Sequence, residues 1–298
     1  MTRLRVAVTG TSGFLGSALT GYLAARGAEV RALGRDPAAV RAAAPAATSV
    51  HEFAFCGALD ESGVDGADVL VHCAWQARFH NAAEGDRVNR EGSLRLFEVC
   101  ERLGVPRIVY VSSMSVHEEA ESTYARTKRA LEMSLDPERH LVVRPGHIVG
   151  EGGVFWRAVL AIARLPVVPL FFGGEQRIQT VGIDDVCRGL LVALEKDLRG
   201  TLFLATPEPV SIRGLYERIA ARLGKRRILV RVPGAPALAA VRWLEARGIP
   251  TPVTTDNLLG IRNLRIFDLS RDLDRLGFVP RGVDESLAAV DWSKARRR

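Results

Sequence analysis

Residues 4–27 read LRVAVTGTSGFLGSALTGYLAARG. LRVAV (4–8) is a short apolar run of the kind that forms a buried strand, and FLGSALTGYLAARG (14–27) has helical spacing and closes at Gly27. Between them, TGTSGFLG (9–16) sets Gly10, Gly13 and Gly16 at intervals of three. Glycine at the turn permits backbone angles that other residues resist. Glycine at the point of closest approach lets a pyrophosphate reach main-chain N–H groups at the helix start, and the third lets helix pack near strand. A glycine-rich turn alone is a weak signal. A strand before it and a helix after it make it a dinucleotide cradle.

The same rhythm continues outward. EVRALG (29–34), TSVHEFAF (48–55), ADVLVHCA (67–74), PRIVYVSS (106–113) and HLVVRP (140–145) read as further strands, with helices over 81–103 and 123–135. Strand and helix in strict turn imply an α/β fold, a doubly wound parallel sheet of Rossmann type. After about residue 150 the rhythm changes. Gly and Pro punctuate 145–174, which reads as loops between short elements. A helix starting near Asp184, a strand GTLFLA (200–205) and a helix SIRGLYERIAARLG (211–224) follow. RILVRV (227–232), a Pro-rich helical region to Gly248, RIF (265–267) and a last helix at 283–292 complete a smaller mixed α/β C-terminal lobe. The expected division is a dinucleotide-binding domain over 1–150, joined by returning segments near 178–206, and a substrate-binding lobe mainly over 151–298. The Ala-rich patch near 38–47 is the one biased stretch.

The composition fits a soluble globular protein, with 47% hydrophobic and 25% charged residues. The formal charge of +7 comes mostly from scattered arginine and would suit an anionic cofactor or substrate. The basic tail Lys294, Arg296, Arg297, Arg298 reads as a solvated end, not a nucleic-acid arm. Cys56, Cys73, Cys100 and Cys187 form no CxxC pair and read as buried free thiols in a reducing compartment. The N-terminus is too quickly structured for a signal peptide, and no apolar run approaches a membrane span. A cytoplasmic protein with neither membrane nor nucleic-acid partner is expected.

Two places speak to chemistry. An NAD site usually places an acid near the end of the second strand; here Leu33 is followed by Gly34, Arg35 and Asp36. Arginine suits a 2′-phosphate, so NADP is favoured, while Asp36 keeps NAD open. The second place is SSMSVHEEAESTYARTK (112–128). Tyr124 and Lys128 are four apart and share a helix face, while Ser112 and Ser113 sit at a strand's carboxyl end, the rim where ligands bind in such sheets. A carbonyl undergoing hydride transfer needs a proton donor. A tyrosine with pKa about 10 becomes serviceable when a nearby Lys⁺ favours tyrosinate. A serine hydroxyl can hold the same oxygen.

At this point the sequence resembles the short-chain dehydrogenase/reductase superfamily, in particular its extended branch, the NAD-dependent epimerase/dehydratase family. TGTSGFLG is similar to TGxxGxxG, VNREGS (88–93) to VNxxGT, SSMSV to SSxxV and YARTK to YxxxK. RPGHIVG (144–150) resembles RPxxVYG, IDDV (183–186) resembles VDDV, and FDLSRDLDRLGFVP (267–280) resembles the terminal D-S-K-LGF-P segment. HCAW (72–75) is similar to the segment after the fourth strand. The resemblance implies Tyr124 as general acid/base, Lys128 lowering its pKa and holding the ribose, and Ser113 binding the reacting oxygen. The cofactor set it implies, with Arg35 added, is Gly10, Ser12, Gly13, Phe14, Leu15, Gly16, Ala74, Asn89, Lys128, Pro145, His147 and Ile148. Helices 81–103 and 123–135 are where such proteins often form a homodimer, by analogy alone.

The departures matter as much. Serine and tyrosine are only eleven positions apart, His117 stands where tyrosine is frequent, and the diphosphate-binding arginine's register holds Ile178 with Arg177 one place off. Ala58 replaces the aspartate that touches adenine, with Asp60 nearby. His72, His80, His117, His140 and His147 show no metal spacing. Asp184 and Asp185 read as acids favouring a helix N-terminus. Trp75, Phe79, Phe155 and Trp156 fit pocket wall and interlobe core equally well. The reading is an NADP-preferring oxidoreductase, NAD being the other choice, that interconverts a non-nucleotide carbonyl and a secondary alcohol. The alternatives are a nucleotide-sugar epimerase or 4-ketoreductase, and a non-catalytic dinucleotide-binding sensor or assembly protein, which would have no need of the acid/base set.

Overall fold

The computed structural model describes residues 4–77, 79 and 81–296. His80, Arg297 and Arg298, singled out above, lie outside the described residues. In chain order, β1 (Arg5–Thr9) leads through the glycine loop to α1 (Phe14–Ala24). Then come β2 (Glu29–Gly34), α2 (Pro37–Ala43), β3 (Ser49–Glu52), β4 (Val69–His72), α3 (Ala82–Arg102), β5 (Ile108–Val111), α4 (Thr123–Glu132) and β6 (Leu141–Pro145). They are followed by β7 (His147–Val149), α5 (Gly153–Arg164), β8 (Val167–Phe171), β9 (Arg177–Ile178), β10 (Thr180–Gly182), α6 (Ile183–Glu195) and β11 (Gly200–Leu204). The rest comprises β12 (Val210–Ser211), α7 (Ile212–Arg222), β13 (Ile228–Val232), α8 (Gly234–Glu245), α9 (Thr255–Arg262), α10 (Ser270–Leu276), α11 (Val283–Ala288) and α12 (Ser293–Arg296).

Seven strands form one sheet in the order β11-β6-β5-β4-β1-β2-β3, with every neighbouring pair parallel. This is the doubly wound Rossmann sheet that the alternation predicts. Period-two alternation divides the central strands between two cores: in β1, Val6 and Val8 join one face, Ala7 the other. The strand order reverses between β1 and β4, which opens a crevice at their carboxyl ends. Val181, Leu190, Leu202 and Leu204 pack into the same core as Val6 and Val8, so 181–204 belongs physically to the sheet layer. A third core, around Phe155, Val159, Ile162, Leu215, Ile219 and Leu287, lies in the second lobe.

Several local expectations change. The 145–174 stretch contains the twelve-residue α5, whose Phe155, Val159 and Ile162 are buried. Its glycines misread as loop chemistry because their reason is close approach: a Cβ on Gly152 would lie 2.4 Å from the Phe14 ring. RIF (265–267) lies outside any strand or helix, and the Gln179 side chain takes both backbone groups of its Phe267, at 2.9 and 3.0 Å. The last helix is two, α11 and α12, separated at 289–292. Phe155 is core, at 1% exposure, and Trp156 packs against that same core. Cys56 is exposed, unlike the buried Cys100 and Cys187.

Candidate active site

The glycine loop follows from sterics. Gly10 has φ +71, and a Cβ there would sit 2.8 Å from Ala74 Cα. A Cβ on Gly16 would lie 2.3 Å from Gly10 O, so no side chain fits at either place. Gly13 is the N-cap of α1, with no side-chain cap bond, and no acid stands in the first turn. The positive helix end at Phe14, Leu15 and Gly16 is therefore left for an outside anion, with Ser12 exposed beside it. These are the features a dinucleotide pyrophosphate requires.

At the end of β2, Gly34 is buried, and a Cβ there would meet Val40 Cγ2 at 2.5 Å, so the glycine lets α2 pack against the strand end. Asp36 caps α2, accepting from Ala38 N at 2.9 Å and Ala39 N at 3.3 Å. Arg35 is exposed and has no partner among the described residues. Asp60 is engaged by His51 and Ser62, whose hydrogen bonds hold it below its ordinary pKa, and Ala58 is exposed.

The carboxyl end of β5 carries Ser112 and Ser113. Ser112 is buried with its hydroxyl unbonded; Ser113 is half-buried, accepting from Ser115 N at 3.1 Å and donating to Ser115 Oγ at 3.2 Å. Helix α4 brings Tyr124 and Lys128 to the same place. Lys128 is 3% exposed, and its Nζ donates to Val111 O at 2.9 Å and to the Tyr110 hydroxyl at 3.3 Å. The Nζ lies 4.7 Å from the Trp75 ring centroid and 5.5 Å from that of Tyr124. Burial pushes the Tyr124 phenol up to about 12, and a hydrogen bond with Ser113 only partly opposes it. Burial pulls the Lys128 ammonium down to about 7, against the opposite pull of Glu132. The expected depression of the tyrosine by the lysine is thus overridden in the protein alone, because burial penalises both charged forms.

The cleft wall comes from the segment after β4. Trp75 meets the Tyr124 ring edge-on at 4.9 Å. Asn89, fully buried in α3, accepts from Gln76 N and donates to Gln76 O and Gly85 O. Its amide holds this segment in place instead of reaching into the cleft. Ala74 N donates to Thr9 Oγ1, and Phe79 lies over Gly85 at the head of α3. His72 is bound between Thr9 and Ser93 and stacks on Tyr110, and burial lowers it to about 3. Pro145 O accepts from Met114 N, which ties the 145–148 segment to the serine turn. His147 and Ile148 pair with Thr180 and Val181; burial lowers His147 to about 4. Asp184 and Asp185 stand in the first turn of α6 and both bind Arg281.

Sequence reasoning missed Tyr110, which reads as one more apolar strand residue, and the cover from the second lobe. The 117–124 loop is roofed by 256–265: His117 Nε2 donates to Asn263 O at 2.8 Å, and Glu121 and Glu119 pair with Arg262 and Arg265. A separate cavity of about 430 Å³, lined by Phe14, Ala18, Ile183 and Arg281 among others, includes none of Ser113, Tyr124 or Lys128. No group of three or more potential metal ligands occurs among the described residues, and none of their helices is long and apolar enough to cross a membrane.

An uncharacterized protein of Mycobacterium tuberculosis is 32% identical over 249 residues, 80% of this chain, but the chain spans only 25% of that relative's length. Ceramide reductase of Caulobacter vibrioides is 28% identical over 261 residues, covering 81% of this chain and 77% of the reductase. The structure of MoeE5 in complex with UDP-glucuronic acid and NAD superposes with a TM-score of 0.73 at 23% identity, over 97% of this chain and 99% of that one, a likeness of fold. The profile of the NAD dependent epimerase/dehydratase family matches residues 6–203, a span that takes in the glycine loop, Ser113, Tyr124 and Lys128; the chain belongs to that family.

Proposed function

We propose that the protein is an NADP-preferring oxidoreductase that interconverts a carbonyl and a secondary alcohol, with Ser113, Tyr124 and Lys128 as its catalytic residues. The observation that carries this reading is the convergence of the three side chains at the rim of β5, with the Ser113 hydroxyl close enough to pull the Tyr124 pKa down and the Lys128 Nζ 5.5 Å from the same ring. The bound dinucleotide supplies the hydride donor or acceptor and, when oxidised, a positive charge. The protein's part is proton handling. Tyr124 gives its phenolic proton to the carbonyl oxygen in reduction and takes it back in oxidation. Ser113 holds that oxygen. Lys128, once charged, would favour tyrosinate and would hold the dinucleotide's ribose.

The non-nucleotide substrate is supported by the diphosphate register. Ile178 lies in the second-lobe core, and Arg177 is engaged by Pro209 O. One relative is named a ceramide reductase, a name that carries a lipid substrate. NADP over NAD is supported by Arg35, free beside the loop, and by Asp36, whose carboxylate is taken by α2.

Tyr124→Phe should retain cofactor binding within about threefold and lose turnover by roughly 10²-fold or more. Calorimetry with NADPH and a ketone-reduction assay measure the two; persistent turnover would remove the mechanism. Arg35→Ala should weaken NADPH roughly 10-fold or more, the value of a charge-assisted contact, and leave NADH nearly unchanged. Equal loss for both would remove the phosphate assignment.

A further inference from the structure

The helix that carries Tyr124 is incomplete by itself. The first amides of a helix lack intrahelical partners. In α4 the Ser122 hydroxyl takes Ala125 N at 3.2 Å, and no acid stands in the first turn. The two remaining amides are taken from the other lobe. Asp256, in the first turn of α9, accepts from Thr123 N at 2.5 Å through Oδ1 and from Tyr124 N at 3.3 Å through Oδ2. These amides are the only partners of Asp256 among the described residues. Its charge therefore faces the positive end of α4 with no competing cation.

We propose that Asp256 is a positioning residue for Tyr124: the second lobe holds the backbone of the catalytic helix. The phenol is then in register only while α9 is seated on the 117–124 loop. Three further contacts join the same two segments, His117 to Asn263, Glu121 to Arg262 and Glu119 to Arg265. The two ion pairs are exposed and contribute little by themselves. Of these four contacts, only that of Asp256 reaches the peptide of Tyr124. The short serine–tyrosine interval gives the arrangement its reason: with so few residues in the loop, the clamp comes from 132 positions away. This proposal rests on the reading of Tyr124 as the proton donor.

The variants Asp256→Asn and Asp256→Ala leave one acceptor oxygen and none. With NADPH and the best ketone from a panel of cyclohexanone, acetophenone and ethyl acetoacetate, kcat should fall by roughly 5- to 10-fold and then roughly 100-fold, the scale of a misplaced catalytic group. KM and the NADPH Kd should stay within about threefold, and the solvent deuterium isotope effect on kcat should rise as proton transfer becomes limiting. A readout without turnover is the Tyr124 ¹³C ring resonance, with Tyr124→Phe assigning the signal. The signal should move in Asp256→Ala, as the ring shifts against the edge of Trp75 that it meets at 4.9 Å. An unmoved Tyr124 ring resonance, or a kcat loss matched by equal loss of NADPH binding, would overturn the proposal. Turnover surviving in Tyr124→Phe would overturn the catalytic reading instead. Tyr124→Phe inactive with Asp256→Ala fully active would overturn only the positioning role.

Discussion

Lys128 has a carbonyl and a phenol for hydrogen-bond partners and three aromatic rings within 5.5 Å. Its ammonium is therefore poorly solvated, and its pKa falls to about 7 from an ordinary 10.5. Between those two values the unfolded chain holds a proton that the native chain lacks. The contribution of Lys128 to stability must then rise with pH across that window, by at most about 1.4 kcal/mol per pH unit. Below about 7 both states are protonated and the group adds no slope. Lys128→Met should remove the rise. Urea unfolding of the cofactor-free protein from pH 7 to 9.5 measures it, and equal slopes in both proteins would show that the lysine is not desolvated. The same burial makes Lys128 useful: a charge restored there by an anionic ligand would act on Tyr124 through little water.

Elements were legible where local pattern and tertiary role agree. β1 and α1 announce themselves because the apolar periods and the glycine spacing each have one explanation. Ser113, Tyr124 and Lys128 were legible because one strand–helix unit carries all three. α5 was obscured because Gly150 and Gly152 are set by the Phe14 ring, a contact from 136 or more positions earlier that no local window contains. α2 carries a single buried side chain, Val40, so its alanines show no apolar stripe. Tyr110 and Asp256 were invisible for opposite reasons. Tyr110 is indistinguishable from core until its hydroxyl is seen on Lys128, and Asp256 sits on a separate lobe. Local sequence thus encodes the groups proposed to react, while the side chains that contact them come from distant positions.

At the scale of the molecule, the two lobes are joined by the chain's last segment as well as by α9. Leu276 enters the sheet core, Leu287 and Val290 enter the second-lobe core, and Arg281 lies between them. Arg281 donates to Asp185 from its backbone N and its Nε, both at 3.0 Å, and to Asp184 at 3.2 Å. Asp185 is 6% exposed, so its carboxylate depends on those donors. Asp184 is exposed and contributes little. Arg281→Ala would leave a buried carboxylate with one backbone donor and the helix end of α6, at a cost of about 1–3 kcal/mol. Arg281→Lys should recover only part, since one ammonium cannot copy the guanidinium's two directions. Urea denaturation at pH 7 measures both. A loss below about 0.5 kcal/mol in the alanine variant, the range of ordinary surface changes, would mean that this arginine does not join the lobes.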